Sequence, residues 1–551
     1  MPNRTDARPG LPLCAIFLCV MLPGLASGSE IPPASPPPTP AELAVPGLVI
    51  GDITIDNQNI FDVRDPKEDR SLYRLANRLH IKTRPQVIRD QLLLRPGDPY
   101  SARLLEESER ILRGARYLYD ASVRAVAIHD GRVDVAVTTR DVWTLNPGIS
   151  FGRHGGKNTA GIELEELNAL GTGISLSAGH KSGLDRTETT FEVRDPHIGS
   201  SWWDVQALYS SNSDGYRREF SSERPFYALD TRWAAGVGVF DDDRVDSLYD
   251  LGEIVDQFKE HRRFADAYGG WSRGLRNGWV QRWRFGATYD EREFAPAPGW
   301  TGTSTVPDNR KLVYPWVEFD LVQDDYRKLR NRDQIDRTED FHLGTRASVR
   351  LGWSDPALGA DRSALMLAAG LDHGAALSDR VTLLSGVGVG GRVESGVFRN
   401  TLVGGALRYY DKQSDHFLFF TTLEGTYGRH LDLDNQVLLG GDNGLRGYPL
   451  RYQGGDRRML LTVEQRFFSD WYPFRLFRIG AAAFVDIGRT WGEAPLNTPS
   501  LGVLKDVGVG LRIGNSRSGL GNIIHVDVAF PLDGDPSIKS VQFLVETKQR
   551  F

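Results

Sequence analysis

Cysteine is nearly missing from this chain of 551 residues: the two present, Cys14 and Cys19, both fall within the first twenty positions. Past them there is no disulfide frame, no thiolate nucleophile and no Cys-based metal site. A large excess of one charge is missing as well. The formal net charge is −6, which removes any electrostatic case for binding nucleic acid. The eleven histidines show no H-E-x-x-H spacing, so no metal is indicated. Two motif matches lack the context their chemistry needs. Gly270-Trp271-Ser272-Arg273-Gly274 fits G-x-S-x-G but has no apolar strand-to-helix turn around it. Gly386, Gly388 and Gly391 fit G-x-G-x-x-G inside "SGVGVGGRV", which alternates like a strand and opens no helix. The aspartates from Asp241 to Asp243 read as a solvated loop run. These absences point away from an enzyme, and no cofactor is implied.

Long apolar runs are missing too, with one exception at the start. Arg4 and Arg8 precede "LPLCAIFLCVML", which is too short to span a bilayer, and small residues follow in "GLASGSE". Residues 1–28 therefore read as a secretory signal peptide, cleaved after Ala26 or Gly28. Residues 29–46, with "IPPASPPPTPAELAVP", read as an extended linker because proline removes backbone donors and fixes φ.

Residues 47–143 read as a small α+β domain in the order β-α-α-β-β. "LVIGDITID" is strand-like. Thr83 with Gln86 makes a capping-box pattern ahead of "VIRDQLLL", and Ser101 stands where a cap for a second helix belongs. Leu104, Leu105, Ser108, Ile111, Leu112 and Ala115 form that helix's inner stripe. "ASVRAVAIH" and "RVDVAVTT" are joined by Asp130-Gly131, a two-residue hairpin signal.

From residue 144 to 551 the period changes from 3.6 to 2. Trp283, Phe285, Ala287 and Tyr289 share one face, while Arg282, Arg284, Gly286 and Thr288 share the other. Aromatics facing one way and charges the other predict a mainly β fold: a transmembrane antiparallel barrel with lipid outside and a polar lumen. With about 25 residues per strand and connection, the segment predicts about 16 strands. The last strand, "SVQFLVETKQRF", puts Val541, Phe543, Val545 and Phe551 on one face and resembles the sorting signal of bacterial outer-membrane barrels.

The stretch "GDNGLRGYPLRYQGGDRRMLLTVEQRFF" is the most specific. Leu445-Arg446-Gly447-Tyr448 is similar to the [VIL]-R-G-[FY] motif of the BamA/TamA superfamily, the bacterial surface antigen family. "AAAFVDIGRTW" matches that family's F-x-D-x-G element through Phe484, Asp486 and Gly488, and the small domain resembles a POTRA domain. "NALGTG", "RNRDQIDRTEDFHLG", "DVGVGLRI" and "IIHVDVAFPL" also resemble superfamily sequence. The resemblance implies a loop folded into the lumen, with Arg446 paired to Asp486 on the wall and Glu464 on the same lumenal face. It further implies a single periplasmic POTRA domain and a barrel in the bacterial outer membrane that inserts or translocates polypeptides. The partners it implies are membrane lipid, unfolded clients held at the POTRA edge and the barrel seam, and periplasmic chaperones or accessory proteins. The seam is expected between "NPGISFGRHGG", rich in glycine, and the last strand. A passive channel or a surface structural barrel is the alternative.

Overall fold

The computed structural model describes residues 36–548 apart from 303–304, 493–500, 520, 522, 535 and 537. The expected signal peptide and Phe551 lie outside the described residues. The proline-rich segment is not extended throughout. Thr39 caps a helical turn, Pro40–Leu43, with Glu42 completing the capping box, since proline at the first helical position gives up a donor that would be unpaired anyway.

The small domain has strands β1 (Val49–Gln58), β2 (Leu118–His129) and β3 (Arg132–Asp141) in the sheet order β1-β3-β2, with β1 parallel and β2 antiparallel to β3. Asp130 and Gly131 both take positive φ, as a tight hairpin turn requires. The domain has three helices, one more than the sequence pattern predicts: α1 (Ser71–Leu79), which packs beside Phe61 and Trp143, and α2 (Pro85–Asp90) and α3 (Ala102–Gly114), which pack on the sheet. Helix α1 escapes the pattern because Arg70 at its N-cap makes no side-chain cap and its leucines face outward. The two expected caps are not made either. Thr83 sits one residue before the N-cap of α2 and accepts from Asn168 instead, and Ser101 is the N-cap of α3 without a capping hydrogen bond. Ile50, Ile88, Leu105, Leu112, Val123, Val135 and Val137 form the domain's core.

The remainder is a closed antiparallel barrel of 20 strands, not 16. The wall runs from Leu145–His154 to Gln542–Lys548, which pair with each other to close it. The undercount has a physical cause. Residues 145 to 548 hold 20 strands, about 20 residues for each strand and its connection, because many hairpins turn in two residues. Leu251-Gly252, Asn277-Gly278 and Ser395-Gly396 all have positive φ at both positions, the conformation whose twist suits a hairpin.

The wall is inside-out relative to a soluble protein. Phe285 is 58% exposed, and Trp271, Trp353, Val509 and Phe543 also face outward, whereas Asp320, Asp486 and Arg512 are buried on the inner side. Asp241 to Asp243 belong to this wall and not to a loop. They lie in the Trp233–Asp250 strand, where Asp243 pairs with Lys259 and the buried Asp242 with Arg244. Gly270 to Gly274 and Gly386 to Gly391 are likewise inside strands, and the Ser272 hydroxyl donates to the Gln281 carbonyl at a bulge.

The lumen is filled by two segments outside the wall. A hairpin of Tyr326–Arg330 and Thr338–His342 enters from the rim next to the small domain, and Ile335, Phe341 and Leu343 pack across the mouth on Tyr410, Leu418, Phe420 and Phe468. From the far rim, residues 430 to 456 fold inward on a short ladder of Val437–Leu439 with Gln453–Gly455.

Candidate functional site in the plugged lumen

The far-rim segment is held by its own apolar residues before any charge is considered. Leu439, Leu445, Tyr448, Tyr452, Leu460 and Leu504 form one buried cluster. Two glycines allow the wall and the tip to meet. A Cβ on Gly447 would lie 2.6 Å from Cβ of Asp506 and 3.0 Å from the Pro531 nitrogen, and one on Gly488 would lie 2.8 Å from Cδ2 of Leu439. The Tyr448 hydroxyl reaches the carbonyls of Lys505 at 2.8 Å and Asp533 at 2.9 Å.

This seating delivers Arg446 to the wall. Its Nε donates to Asp486 Oδ2 at 2.7 Å and its Nη2 to Asp486 Oδ1 at 2.9 Å, a two-pronged bond that fixes orientation as well as charge. Nη1 donates to Glu464 Oε1 at 2.9 Å, and Asp527 lies 3.5 Å away. The guanidinium rests 3.3 Å from the centroid of the Phe484 ring. Thr462 also donates to Asp486, and the Gly447 amide donates to Asp506. The side chain of Arg446 is 8% exposed and that of Asp486 0%, so the pair is dry and the low-dielectric regime applies.

Glu464 is shared. Its other oxygen accepts from Arg466 at 2.9 Å, and Arg466 donates to the Arg332 carbonyl of the near-rim hairpin at 2.9 Å. The two plugs are therefore linked through one wall pair, Glu464 and Arg466. The hairpin in turn is clamped to the small domain. Arg113 makes a two-pronged bond to Asp340 at 2.8 and 2.6 Å, Lys328 pairs with Glu109, and Arg110 lies 3.7 Å over the Tyr326 ring. Glu107 accepts the Leu229 amide at 2.8 Å, and burial raises its carboxyl above the ordinary range despite Arg103 and Arg110. Thus α3 is buried on both faces, its apolar stripe by the sheet and its charged stripe by the barrel.

At the far rim the plug is fastened near the start of the wall. Arg451 binds Asp185 at 2.6 and 2.8 Å, Tyr249 donates to the same carboxylate, and Gly155, at the tip of the first wall hairpin, packs on Pro449 and Leu450. The first and last wall strands share a single paired position among the described residues, Val545 opposite Arg153, whereas every other neighbouring wall pair shares seven or more. In that last strand Phe543 is exposed and Val545 half-buried, while Val541 sits half-buried just before it.

The sequence places Arg466, two residues after Glu464, on the same charged strand face but assigns no role to it, nor to Asp506, Asp527 or the α3 clamp. "NALGTG" and "RNRDQIDRTEDFHLG" were noted without a role; the first receives Thr83 of the small domain and the second forms the near-rim plug. His525, Asp527 and Glu546 bring ligand-type atoms within 4.8 Å of one another, but Arg512 occupies Asp527 and Lys548 occupies Glu546.

No family model and no curated protein matches the chain. Among solved structures, BamA from Haemophilus ducreyi lacking POTRA domains 1–3 is 14% identical, covering 90% of this chain and 84% of that one with a TM-score of 0.38. CdiB from Acinetobacter baumannii is 13% identical, covering 91% and 73% with a TM-score of 0.44. CdiB from Escherichia coli is 13% identical, covering 91% and 77% with a TM-score of 0.45.

Proposed function

We propose that this chain is an outer-membrane protein of the BamA/TamA superfamily that inserts or translocates polypeptides, with its small domain a POTRA domain in the periplasm. The outward apolar belt supports residence in a bilayer, because such a surface is costly in water and ordinary for a barrel in lipid. One observation carries the choice between assembly and passive conduction: the lumen holds two plugs linked through the wall residues Glu464 and Arg466, while among the described residues the wall is most weakly paired between its first and last strands. A passive channel needs an open lumen. A barrel that works by strand exchange needs a weak seam, because free strand edges recruit strands.

Client capture on the small domain has a narrower edge than a bare three-stranded sheet offers. The outer edge of β2 is engaged at Leu118, Ala121 and Val123 by Arg337, Arg113 and Glu109. Arg124 to His129 is the stretch on which an added strand would pair, and the register shift between Ala125 and Ala127 limits its length.

The test is a disulfide between Arg153→Cys and Val545→Cys in a chain with Cys14 and Cys19 replaced by serine. In cells depleted of the native protein, the locked form should fail to restore the outer-membrane complement of other barrels, and reductant should rescue it. Full restoration by the locked form would exclude lateral opening. A complement unaffected by depletion would instead favour the passive channel.

A further inference from the structure

Helix α1 carries an apolar stripe that is left exposed among the described residues. Leu72 is 67% exposed, Leu75 48% and Leu79 62%, and Ile81 just beyond the helix is 54% exposed. At 3.6 residues per turn the three leucines fall within one narrow face. Tyr73 lies about a third of a turn away and Ala76 about a fifth, and both belong to a cluster with Phe61, Trp143 and Leu476. On the other side of the stripe come Arg74, which pairs with Asp69, and Arg78; Lys67, Arg70 and Lys82 lie nearby in sequence and outnumber the acidic Asp65 and Glu68, the latter taken up by Arg517. The helix is thus divided into a docked edge, an apolar face and a basic edge.

Its position says what could cover that face. The Tyr73 hydroxyl donates to the Phe474 carbonyl at 2.7 Å, which fixes α1 beside the barrel turn after the Arg457–Phe468 strand. That turn bears Trp471, 65% exposed, and Phe474, 72% exposed, and adjoins the outward belt at Phe467 and Phe417. Free leucines, free rim aromatics and the lipid-type belt are neighbours. Basic side chains flank the stripe, as an interfacial helix on anionic lipid requires.

We propose that α1 is an interfacial anchor whose leucine face lies in the headgroup boundary of the leaflet nearest the small domain, with its basic edge on anionic phospholipid. This rests on the reading that the barrel sits in a bilayer. The anchor would hold the small domain against the rim, and so keep α3 clamped on the near-rim plug. A protein partner on the same face is the competing occupant.

The full chain, with Cys14 and Cys19 replaced by serine, is reconstituted alone into phosphatidylglycerol-containing vesicles whose acyl chains carry a nitroxide near the headgroup. A fluorophore is placed in turn at Leu75→Cys, at Phe285→Cys in the belt and at Val126→Cys on β2. Quenching at Leu75→Cys should be several-fold stronger than at Val126→Cys and should fall about threefold in Arg74→Glu/Arg78→Glu or in purely zwitterionic vesicles. Quenching at Phe285→Cys with Leu75→Cys no more quenched than Val126→Cys overturns the anchor alone and leaves the face to a protein partner. Absence of quenching at Phe285→Cys overturns the bilayer reading itself. Barrel folding in every variant is checked by heat-modifiable gel mobility.

Discussion

Replacing Arg446 with alanine leaves Asp486, with no side-chain exposure, and Glu464, 7% exposed, facing space that the guanidinium filled. Breaking a buried pair from one side costs about 3–5 kcal/mol because the remaining charge keeps its desolvation penalty. Glu464 retains Arg466 and Asp486 retains Thr462, which places the cost toward the lower end. Opposing it, Leu445 and Tyr448 stay buried, each contributing about 1.5–3 kcal/mol. The two sums are comparable, so the tip of the far-rim plug should become partly unseated while the barrel stays closed. In hydrogen exchange on the reconstituted protein, the amides of Leu445, Gly447 and Tyr448, which bond Gly440, Asp506 and Leu445, should exchange about 100-fold faster, the equivalent of roughly 3 kcal/mol. Arg446→Lys should fall between, keeping the charge but losing the two-pronged bond and the flat contact on Phe484. Unchanged exchange in Arg446→Ala, or purely additive effects in a double-mutant cycle with Asp486→Ala, would refute the dry pair.

Gly447→Ala should unseat the tip without touching a charge, since the added Cβ meets wall backbone at Pro531 as well as Asp506; overpacking of this kind costs about 1–3 kcal/mol, and wild-type protease resistance of the plug would contradict it. Arg113→Ala should loosen the small domain, leaving Asp340 unpaired while Glu109 retains Lys328, and a spin-label distance between α3 and the wall should broaden in the variant. An identical distance distribution would show the clamp to be unimportant. For Glu107 the sign follows from burial. A carboxyl raised above its ordinary value binds its proton more tightly when docked than when free, so its contribution is complete below the ordinary carboxylate range and declines as pH rises through the raised value. Glu107→Gln should flatten that decline in a docking titration, and an unaltered slope would assign the pH dependence elsewhere.

Period-2 alternation is a local signal, and it located the wall because every strand must present one face to each solvent, as Trp283 and Arg284 do on adjacent positions. Strand number is not local. It depends on how sharply the chain turns, and pairs such as Leu251-Gly252 turn in two residues without an Asn-Gly or Asp-Gly signature. Helix α1 was illegible for a different reason: its leucines face away from the domain, so no inward stripe exists to be read. The charged face of α3 carries no sign of its burial in the sequence. Glu107, Glu109 and Arg113 are what a solvated helix face would carry, and only the arrival of the barrel's turns and hairpin, distant in sequence, makes them buried.

That distant arrival sets the energetics of the whole lumen. Glu464 accepts from an arginine of the far-rim plug and from Arg466 of the wall, while Arg466 also lies over the Phe420 ring and donates to the backbone of the near-rim hairpin. Withdrawing either plug strips a buried group of a partner: Glu464 loses Arg446 in one case, and Arg466 loses the Arg332 carbonyl in the other. An under-satisfied buried network is worse than an apolar filling, so each plug raises the cost of removing the other. The hairpin's second attachment is α3, through Asp340 and Lys328. Seating of the far-rim loop, closure of the near mouth and docking of the small domain therefore draw on overlapping sets of ion pairs. Leucine would fill the lumen without coupling its parts; charges that reach from rim to rim tie the seating of one plug to the seating of the other.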